Sequence, residues 1–252
     1  MESGYIAEIF SSFQGEGAYT GRRQIFIRFA GCPLSCFYCD TPSAHDSRPK
    51  LCTVFGKSNN HVIENPMTSQ LVIEWANELR TPDVHSICYT GGEPLLQTEF
   101  VKQIAREAES MQLNNFIETS GYSARAFAAL AEDFEFASID IKLKHHRAVE
   151  DSNYDRLYAN ELECVKIAVD RGIDTIVKVV VLKDTTADEI EAVCRDLAEF
   201  DIKFVLQPVT APHHLPDVAP GANELFRLSE VAGRFLTDVM VIPQLHKFMH
   251  IQ

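Results

Sequence analysis

QIFIRFAGCPLSCFYCDT, residues 24–41, joins an apolar segment rich in β-branched residues to a loop that carries three cysteines. The segment Ile25–Ala30 predicts a buried β-strand, and the glycine and proline that follow predict a tight loop. The thiols follow the spacing C-x3-C-x2-C at Cys32, Cys36 and Cys39. Because a core strand would not need such a loop, the pattern indicates a binding site at the end of a strand.

The same order of strand, loop and helix recurs along most of the chain. Apolar runs predict strands at Ile25–Ala30, Ser86–Thr90, Asn115–Glu118, Phe136–Ile141, Thr175–Leu182, Lys203–Gln207 and Asp238–Ile242. Segments of helical period lie at Ser69–Arg80, Thr98–Met111, Ala124–Asp133, Asp155–Arg171, Ala187–Phe200 and Asn223–Leu236. Six βα crossovers predict an α/β fold with parallel strands, in a sheet that is either open or curled into a partial barrel.

In folds of this type the functional loops lie at the carboxyl ends of the strands. Here those ends carry GCPLSCFYCDT, TGGEP, ETSG, DIK, QPV and PQLH. We therefore expect the chemistry at one rim of a single domain that spans residues 1–252. Residues 42–66 lack a clear period and are interpreted as a surface insertion after the cysteine loop.

Composition limits the classes of function. The chain has 252 residues, of which 46% are hydrophobic, and its formal net charge is −13. Nucleic acid is disfavoured as a partner because such affinity comes from Lys and Arg that displace counterions. The start of the chain lacks a basic and apolar leader, and no apolar run approaches the ~20 residues needed to cross a bilayer. We therefore expect a cytoplasmic protein without a membrane partner.

Seven cysteines cannot all pair in disulfides, and three of them lie within eight residues, so we expect a reducing compartment. The three clustered cysteines indicate a metal site. Zinc normally takes four ligands, and Cys52, His45 or His61 could supply the fourth. An electron-transfer ferredoxin cluster needs four cysteines, so it does not fit. Three ligands on a four-iron cluster leave one iron open to a small chelating molecule. Three buried cysteines that act as small hydrophobic residues are the remaining alternative.

Two motifs carry a resemblance to a known superfamily. The loop CPLSCFYC, with Tyr38 before its last cysteine, resembles the cluster loop of the radical S-adenosylmethionine (radical SAM) superfamily. TGGEP at Thr90–Pro94 resembles its second motif, although alone it is also typical of a turn. The resemblance implies a radical SAM core folded as a partial (βα)6 TIM-like barrel. It also implies a [4Fe-4S] cluster on three cysteines and S-adenosylmethionine as the second cofactor.

The matching motifs also imply how S-adenosylmethionine is held. Gly91 and Gly92 allow the backbone to approach it closely, and Glu93 can accept a hydrogen bond from its ammonium group. One departure is Asp140-Ile141-Lys142, which stands where many of the related synthases have serine-proline-lysine. A D-I-K sequence also occurs in glycyl-radical activating enzymes. Polar residues that face one side of a strand are the plain alternative. The residues assigned to the cofactor are Tyr38, Cys39, Asp40, Gly92, Glu93, Ser138, Asp140, Ile141, Lys142 and Gln207.

The N-terminal EIFSSFQGEGAYTGRRQIFIRFAGCPLSCFYCDT, residues 8–41, and the C-terminal PQLHKF resemble the 7-carboxy-7-deazaguanine synthase family. The likeness runs from FQGEG to the final HKFMHIQ. It implies a radical SAM lyase that contracts 6-carboxytetrahydropterin to the deazapurine with loss of ammonia, on the route to queuosine or archaeosine. A glycyl-radical activating enzyme and a non-catalytic iron–sulfur or zinc protein are the alternative functions.

The implied pterin has an amide-like, amino-substituted edge, which a Gln and a carboxylate can read with complementary hydrogen bonds; QGEG alone is also typical of a turn. Arg28 lies on the strand face opposite Ile27, where a guanidinium inside a barrel can hold a carboxylate; a surface arginine is the alternative. For Glu118 the alternative is a strand-end carboxylate that accepts hydrogen bonds from local amides. For His246 it is a histidine near a terminus whose hydrogen bonds are made within the protein. The residues assigned to the substrate are Phe13, Gln14, Gly15, Glu16, Arg28, Thr90, Glu118, His246 and Gln252.

The resemblance also implies a further metal ion and two partners. Thr41 matches the Mg²⁺ ligand of the family, with the substrate carboxylate as a bridge; a loop hydroxyl is the alternative. The partners are an electron donor of flavodoxin or ferredoxin type and a second copy in a homodimer. An acidic donor would need a local basic patch. Its candidates, which are equally interpreted as a solvated face, are Arg22, Arg23, Arg48, Lys50 and Lys57.

Overall fold

The computed structural model describes residues 2–56, 58–211 and 217–252, so Lys57 lies outside the described residues. Their strands are β1 Ser3–Gly4, β2 Ile6–Phe13, β3 Arg23–Phe29, β4 Leu51–Phe55, β5 Asn60–Glu64, β6 Met67–Thr68, β7 Val84–Gly91, β8 Asn114–Thr119, β9 Phe136–Ile141, β10 Asp174–Val181, β11 Lys203–Pro208 and β12 Val239–Val241. Their helices are α1 Ser69–Leu79, α2 Thr98–Ser110, α3 Ala124–Leu130, α4 Asp151–Asp170, α5 Ala187–Leu197, α6 Ala222–Ala232 and α7 Leu245–Met249. None of the helices in these ranges combines the length and the apolar composition that a membrane span requires.

One large sheet organises the described part of the chain. Its ten strands follow the order β12-β11-β10-β9-β8-β7-β3-β2-β4-β5. Strand β3 and the six strands from β7 to β12 are parallel to one another, and β2 pairs antiparallel with β3. The two end strands of this order, β12 and β5, do not pair, so the barrel is partial. The α/β fold with parallel strands that the sequence predicts is confirmed.

The two faces of the sheet bury different kinds of side chain. Ile25, Ile27 and Phe29 of β3 are fully buried in the core between the sheet and the helices. Phe26 joins a smaller apolar cluster on the inner face of the barrel. Because successive side chains of a strand point to opposite faces, Arg28 lies on that inner face as well. The inner cluster therefore forms the floor below a polar cavity.

Periodicity did not reveal the strands on one side of the sheet. The described residues between 42 and 66 form a 3₁₀ turn at Pro42–His45 and then the strands β4 and β5, which pair antiparallel and extend the sheet beyond β2. Four of the five residues of β5 are exposed, so its sequence shows no alternation between apolar and polar positions. Strand β2 also escaped prediction, because Glu8, Ser11 and Ser12 interrupt its apolar pattern.

Candidate active site

A cavity opens at the carboxyl ends of the parallel strands and is closed on one side by the C-terminal segment. All nine residues assigned to the substrate line it: Phe13, Gln14, Gly15, Glu16, Arg28, Thr90, Glu118, His246 and Gln252. Most residues assigned to the cofactor or to metal line it as well: Cys32, Cys36, Tyr38, Cys39, Asp40, Thr41, Gly92, Asp140, Lys142 and Gln207. Folding thus brings both predicted sets to one place.

Three residues assigned to the cofactor do not line the cavity. The side chain of Ile141 is buried in the core that faces the helices, so only its backbone is available to a ligand. Ser138 is also buried and does not reach the lining. Glu93 accepts hydrogen bonds from Thr119 Oγ1 at 2.6 Å and from the Ser120 backbone N–H at 2.8 Å. These bonds occupy both carboxylate oxygens of Glu93, so Glu93 stabilises the loop at the end of β8. Its contact with the ammonium group of S-adenosylmethionine stays a prediction.

The amide of Gln14 has a fixed orientation. Its Nε2 donates to Gln24 Oε1 at 2.9 Å and to Glu118 Oε1 at 2.8 Å, while its Oε1 accepts from the Glu16 backbone N–H at 3.0 Å. Buried Gln24 is itself held, because its Nε2 donates to Ser86 Oγ at 2.9 Å. A primary amide has two N–H donors, and both are used within the protein. Gln14 can therefore offer a ligand only the second lone pair of its oxygen.

Glu118 supplies the carboxylate next to that amide. Its second oxygen accepts a hydrogen bond from Thr90 Oγ1 at 2.7 Å. Burial raises the pKa of Glu118 above its ordinary value, although the nearby Lys178 and the two hydrogen bonds act in the opposite direction. Each carboxylate oxygen keeps a further lone pair. Together Gln14 and Glu118 form a wall of acceptors that fits a ligand with adjacent N–H groups.

Arg28 stands on the same inner face of the barrel. Its Nε lies 3.1 Å from Glu8 Oε2, and its guanidinium carbon lies 5.6 Å from the centre of the Phe10 ring. These contacts fix the plane of the guanidinium by an ion pair on one side and an aromatic face on the other. An oriented guanidinium of this kind is suited to a carboxylate.

A row of alternating charges crosses the cavity. Lys178 Nζ lies 2.5 Å from Glu16 Oε2 and 3.3 Å from Asp140 Oδ1, and Lys142 Nζ lies 3.0 Å from Asp140 Oδ2. Burial lowers the pKa of Lys178, but Asp140 and Glu16 raise it more, so the net pKa lies above the ordinary value. Burial raises the pKa of Asp140, and the two lysines reverse that shift. Burial raises the pKa of Glu16, but Lys178 and the hydrogen bonds reverse that shift. Burial lowers the pKa of Lys142, but Asp140 raises it more. The two carboxylates and the two lysines of this row are therefore ionised at neutral pH.

The C-terminal segment packs onto this row. Gln244 Nε2 donates to Glu16 Oε1 at 2.7 Å and to Asp40 Oδ2 at 2.8 Å. A Cβ at Gly15 would lie 2.3 Å from His246 Nδ1, so only glycine permits this packing. Glu16, Asp40 and His246 offer ligand atoms within 4.8 Å of one another. Because Lys178 already pairs with Glu16, and Lys247 lies 2.8 Å from Asp40, ammonium groups already balance this trio.

The cysteine loop is held by its backbone. Cys39 N–H donates to Cys36 O at 3.1 Å, and Ser35 N–H donates to Ala148 O at 2.8 Å. Burial raises the pKa of Cys32 to about 11, so a bound metal would have to displace its proton. A single zinc ion would draw three sulfurs to roughly 3.8 Å from one another. Within the described residues, the ligand set that converges within 4.8 Å is the trio above and not the three cysteines. At least two of the three sulfurs therefore lie more than 4.8 Å apart, which is farther than a single zinc ion would hold them.

Two further features fit a cofactor beside this loop. A Cβ at Gly92 would lie 2.0 Å from Gly31 O, so glycine lets the two loops meet. Tyr38 Oη lies 3.1 Å from Nδ1 of buried His146, whose pKa burial lowers to about 2, and this neutral ring fixes the tyrosine. Gln207 Oε1 is buried and has no hydrogen-bond partner among the described residues, although its side chain lines the cavity. An unpaired acceptor in such a wall fits a ligand that brings a donor.

Similarity to known proteins agrees with this geometry. A family model described as the Radical SAM superfamily matches residues 26–197. The 7-carboxy-7-deazaguanine synthase of Methanocaldococcus jannaschii is 36% identical over 97% of this chain and 98% of its own length. This chain belongs to the 7-carboxy-7-deazaguanine synthase family of the radical SAM superfamily. The family and the partial barrel predicted from the sequence are confirmed. As a radical SAM protein, the chain uses a [4Fe-4S] cluster and S-adenosylmethionine.

A second synthase, from Methanothermobacter thermautotrophicus, is 36% identical over 98% of this chain and 97% of its own length. Among solved structures, QueE from Escherichia coli is 18% identical, with a TM-score of 0.55, and the match covers 95% of this chain and 93% of that one. At this low identity the likeness supports the fold alone. The family assignment therefore rests on the sequence relatives, and the fold assignment rests on both comparisons.

Several residues of the site lie outside the set that the sequence predicts. Lys178 is a single charge in the apolar strand TIVKVVV, and that isolated charge was the available signal. Gln244 stands inside the PQLHKF motif but was not assigned a role. Gln24 gave no signal, because its role depends on the distant partners Gln14 and Ser86. Other lining residues that were not predicted are Thr119, Ser120, Val180, Val209 and Thr210. His45, a candidate fourth zinc ligand in the sequence, also lines the cavity, and its Nε2 lies 3.5 Å from Cys39 Sγ.

The predicted basic patch needs a correction. Arg22 and Arg23 stand at the start of β3, whereas the cysteine loop follows its last residue, Phe29. A strand of seven residues separates the two ends by roughly 20 Å at about 3.3 Å per residue. Arg23 is also engaged, because its Nε donates to Ser11 Oγ at 3.0 Å. Of the described candidates, only Arg48 and Lys50 follow the cysteine loop on its own side and are exposed.

Proposed function

We propose that this chain converts 6-carboxytetrahydropterin to 7-carboxy-7-deazaguanine with release of ammonia. The observation that carries the proposal is the acceptor wall of Gln14 and Glu118, which shares one cavity with Arg28 and the cysteine loop. The relatives that cover the whole chain are named for this activity. Substrate recognition and the radical cofactor would therefore meet in one place.

One end of the substrate matches the acceptor wall, and the other end matches Arg28. A pterin presents a ring N–H beside an amino group, and Glu118 can accept both hydrogen bonds with the lone pairs that remain on its carboxylate. The fixed Oε1 of Gln14 adds a further acceptor. The carboxylate of the substrate would pair with the guanidinium of Arg28, which keeps N–H groups beyond the Nε bonded to Glu8.

The cofactors would occupy the opposite side of the cavity. Cys32, Cys36 and Cys39 would hold three irons of the cluster, and the fourth iron would take S-adenosylmethionine. When bound, the reduced cluster supplies the electron that cleaves S-adenosylmethionine and so provides the group that abstracts hydrogen from the substrate. The acceptors Asp140 and Gln207 would then bind hydroxyl groups of the cofactor sugar.

A magnesium ion at Thr41 is part of the proposal. The Thr41 hydroxyl lies 3.1 Å from Asp40 Oδ1, to which it donates a hydrogen bond. Mg²⁺ prefers hard oxygen ligands and keeps several waters, so one hydroxyl and the substrate carboxylate are enough to hold it. The ion would neutralise the substrate carboxylate together with Arg28.

The partners of the reaction are proposals as well. An acidic one-electron donor of flavodoxin or ferredoxin type would reduce the cluster, and exposed Arg48 and Lys50 beside the cysteine loop support its approach from that side. A homodimer is proposed from the family resemblance. One folded domain over residues 1–252 is proposed too, since a single sheet joins strands from both ends of the chain.

The test is anaerobic turnover of the protein after reconstitution with iron and sulfide. The reaction would contain S-adenosylmethionine, dithionite, Mg²⁺ and 6-carboxytetrahydropterin, and both 5′-deoxyadenosine and the deazapurine would be quantified by mass spectrometry. We expect both products to accumulate together. Deoxyadenosine without deazapurine would contradict the proposed substrate and would favour a different radical reaction, such as activation of a glycyl-radical enzyme. Failure to bind a cluster would indicate a protein that is not catalytic.

A further inference from the structure

Lys178 is a buried cation at the centre of the cavity wall. It is the single charged residue of TIVKVVV, the apolar run of β10, and its side chain is 9% exposed. Strand β10 lies between β9 and β11, and Lys178 stands directly opposite Asp140 in the register with β9. A lysine in such a position is rarely buried without a partner. Its contacts therefore explain why it is there.

The ammonium of Lys178 bridges two carboxylates that belong to different parts of the site. Glu16 comes from the loop after β2, beside the acceptor wall, and its Oε2 lies 2.5 Å from Lys178 Nζ. Asp140 comes from β9, beside the cysteine loop, and its Oδ1 lies 3.3 Å from the same nitrogen. The side proposed for substrate and the side proposed for cofactor thus share one cation.

The other oxygen of each carboxylate is also held. Gln244 Nε2 donates to Glu16 Oε1 at 2.7 Å, and Lys142 Nζ donates to Asp140 Oδ2 at 3.0 Å. Loss of Lys178 would leave Asp140 with a cation, whereas Glu16 would keep only a neutral amide. The two sides are therefore not equally dependent on Lys178. Glu16 should move or lose its charge first.

We propose that Lys178 is a positioning residue that sets the distance between the substrate and S-adenosylmethionine by holding Glu16 and Asp140 together. This inference rests on the proposed function. Hydrogen transfer requires the reacting atoms to approach within about 3–3.5 Å, so a small displacement of one ligand separates cofactor cleavage from substrate conversion. Lys178 takes no part in the bond changes; it keeps the two ligands in register.

The test compares Lys178→Met and Lys178→Arg in the reconstituted enzyme. For Lys178→Met we expect the pterin KM to rise about 10- to 100-fold, the range for loss of a hydrogen bond to a charged group. The KM for S-adenosylmethionine should change by less than about 3-fold, because Lys142 still holds Asp140. The ratio of 5′-deoxyadenosine to deazapurine should rise. Lys178→Arg should restore most of the product, because a guanidinium can also bridge two carboxylates.

Lys203→Met is the matched control. Lys203 lies on the neighbouring strand β11, pairs with Asp174 at 2.5 Å and does not line the cavity. It is one-third exposed, and its loss should leave both KM values and the product ratio unchanged. Thermal unfolding of each variant checks that the comparison is made on folded protein. If Lys178→Met does not fold, Lys178→Gln, which keeps an amide donor, replaces it with the same measurements.

The outcomes separate this inference from the proposed function. If the unaltered enzyme makes no deazapurine, the proposed function is wrong. If the unaltered enzyme makes deazapurine, and a folded Lys178→Met or Lys178→Gln variant keeps the original pterin KM and product ratio, the positioning role of Lys178 is overturned. A loss of kcat with both KM values and the ratio unchanged would also overturn it, because that pattern fits a general structural role.

Discussion

Gln14 and Glu118, 104 residues apart in the chain, meet in the cavity through a 2.8 Å hydrogen bond from Gln14 Nε2 to Glu118 Oε1. Because Gln24 accepts the other amide proton, the two bonds together fix the orientation of the Gln14 amide. Both residues therefore face a ligand as acceptors. The chemistry of the proposed pterin edge, with its adjacent N–H groups, follows from that arrangement.

Glu118→Gln should weaken substrate binding. The replacement removes the charge and one acceptor, so we expect the pterin KM to rise about 10- to 100-fold, in line with the loss of a hydrogen bond to a charged group. Cleavage of S-adenosylmethionine in the presence of dithionite should persist. Steady-state kinetics for both substrates check this. An unchanged pterin KM would remove Glu118 from the recognition wall.

Gln24→Met should act on both stability and recognition. The variant keeps the approximate volume of the side chain but leaves one amide proton of Gln14 without its buried acceptor, which costs about 1–3 kcal/mol of unfolding free energy. Freed from Gln24, the Gln14 amide can turn, so the pterin KM should rise as well. Urea unfolding and kinetics measure the two effects. Gln70→Met, on exposed α1 surface, is the control and should alter neither.

Arg28→Ala should uncouple the reaction. Without the guanidinium the substrate carboxylate loses its partner, so product formation should fall sharply while 5′-deoxyadenosine continues to form. Arg28→Lys should recover only part of the product, because an ammonium cannot hold a carboxylate with two parallel hydrogen bonds. The ratio of the two products is the measurement. Normal product formation by the alanine variant would refute the role of Arg28 with the carboxylate.

Cys36→Ala should abolish the cluster. Its thiol lines the cavity and belongs to the three-cysteine loop, whereas Cys194 is fully buried on α5 among apolar side chains. Cys194→Ala is therefore the matched control and should keep its full iron and sulfide content. Iron analysis and the visible absorption of the reconstituted proteins distinguish them. Full cluster content in Cys36→Ala would overturn the ligand assignment.

Glu161→Gln should change how stability depends on pH. Glu161 is fully buried on α4, where both of its oxygens lie 3.1–3.2 Å from the Lys142 backbone nitrogen, and burial raises its pKa well above the ordinary value. At pH values between the unfolded and the folded pKa of Glu161, the folded protein therefore keeps a proton that the unfolded chain has lost. Stability from this group is complete below the unfolded pKa and is lost as the pH rises through the folded pKa.

Between those two values the loss amounts to about 1.4 kcal/mol per pH unit, and the neutral glutamine removes it. We expect the variant to gain stability relative to the natural protein as the pH increases. Urea unfolding of both proteins at about pH 5.5 and about pH 8 measures this difference. Parallel pH dependence in the two proteins would show that Glu161 does not carry the proton.

Local pattern was enough to predict most of the barrel. The strand Phe136–Ile141 has the same bounds in sequence and structure, and the βα units from β7 to β12 follow in the predicted order. Such strands are buried on both faces, so their apolar runs are continuous and easily recognised. The β4–β5 hairpin has the opposite property. It lies at the exposed edge of the sheet, where solvent removes the apolar signal.

The sequence by itself determined the chemistry that the loops can offer: three thiols after β3, the glycines of TGGEP and the carboxylates at the strand ends. These are local properties, because a short loop places its own residues together in any fold. Only the tertiary structure decided the orientation of Gln14 and the bridge from Glu16 through Lys178 to Asp140. Glu16 and Lys178 are 162 residues apart. Their charges acquire a partner and a buried environment only when the sheet curls and brings β10 against the loop after β2.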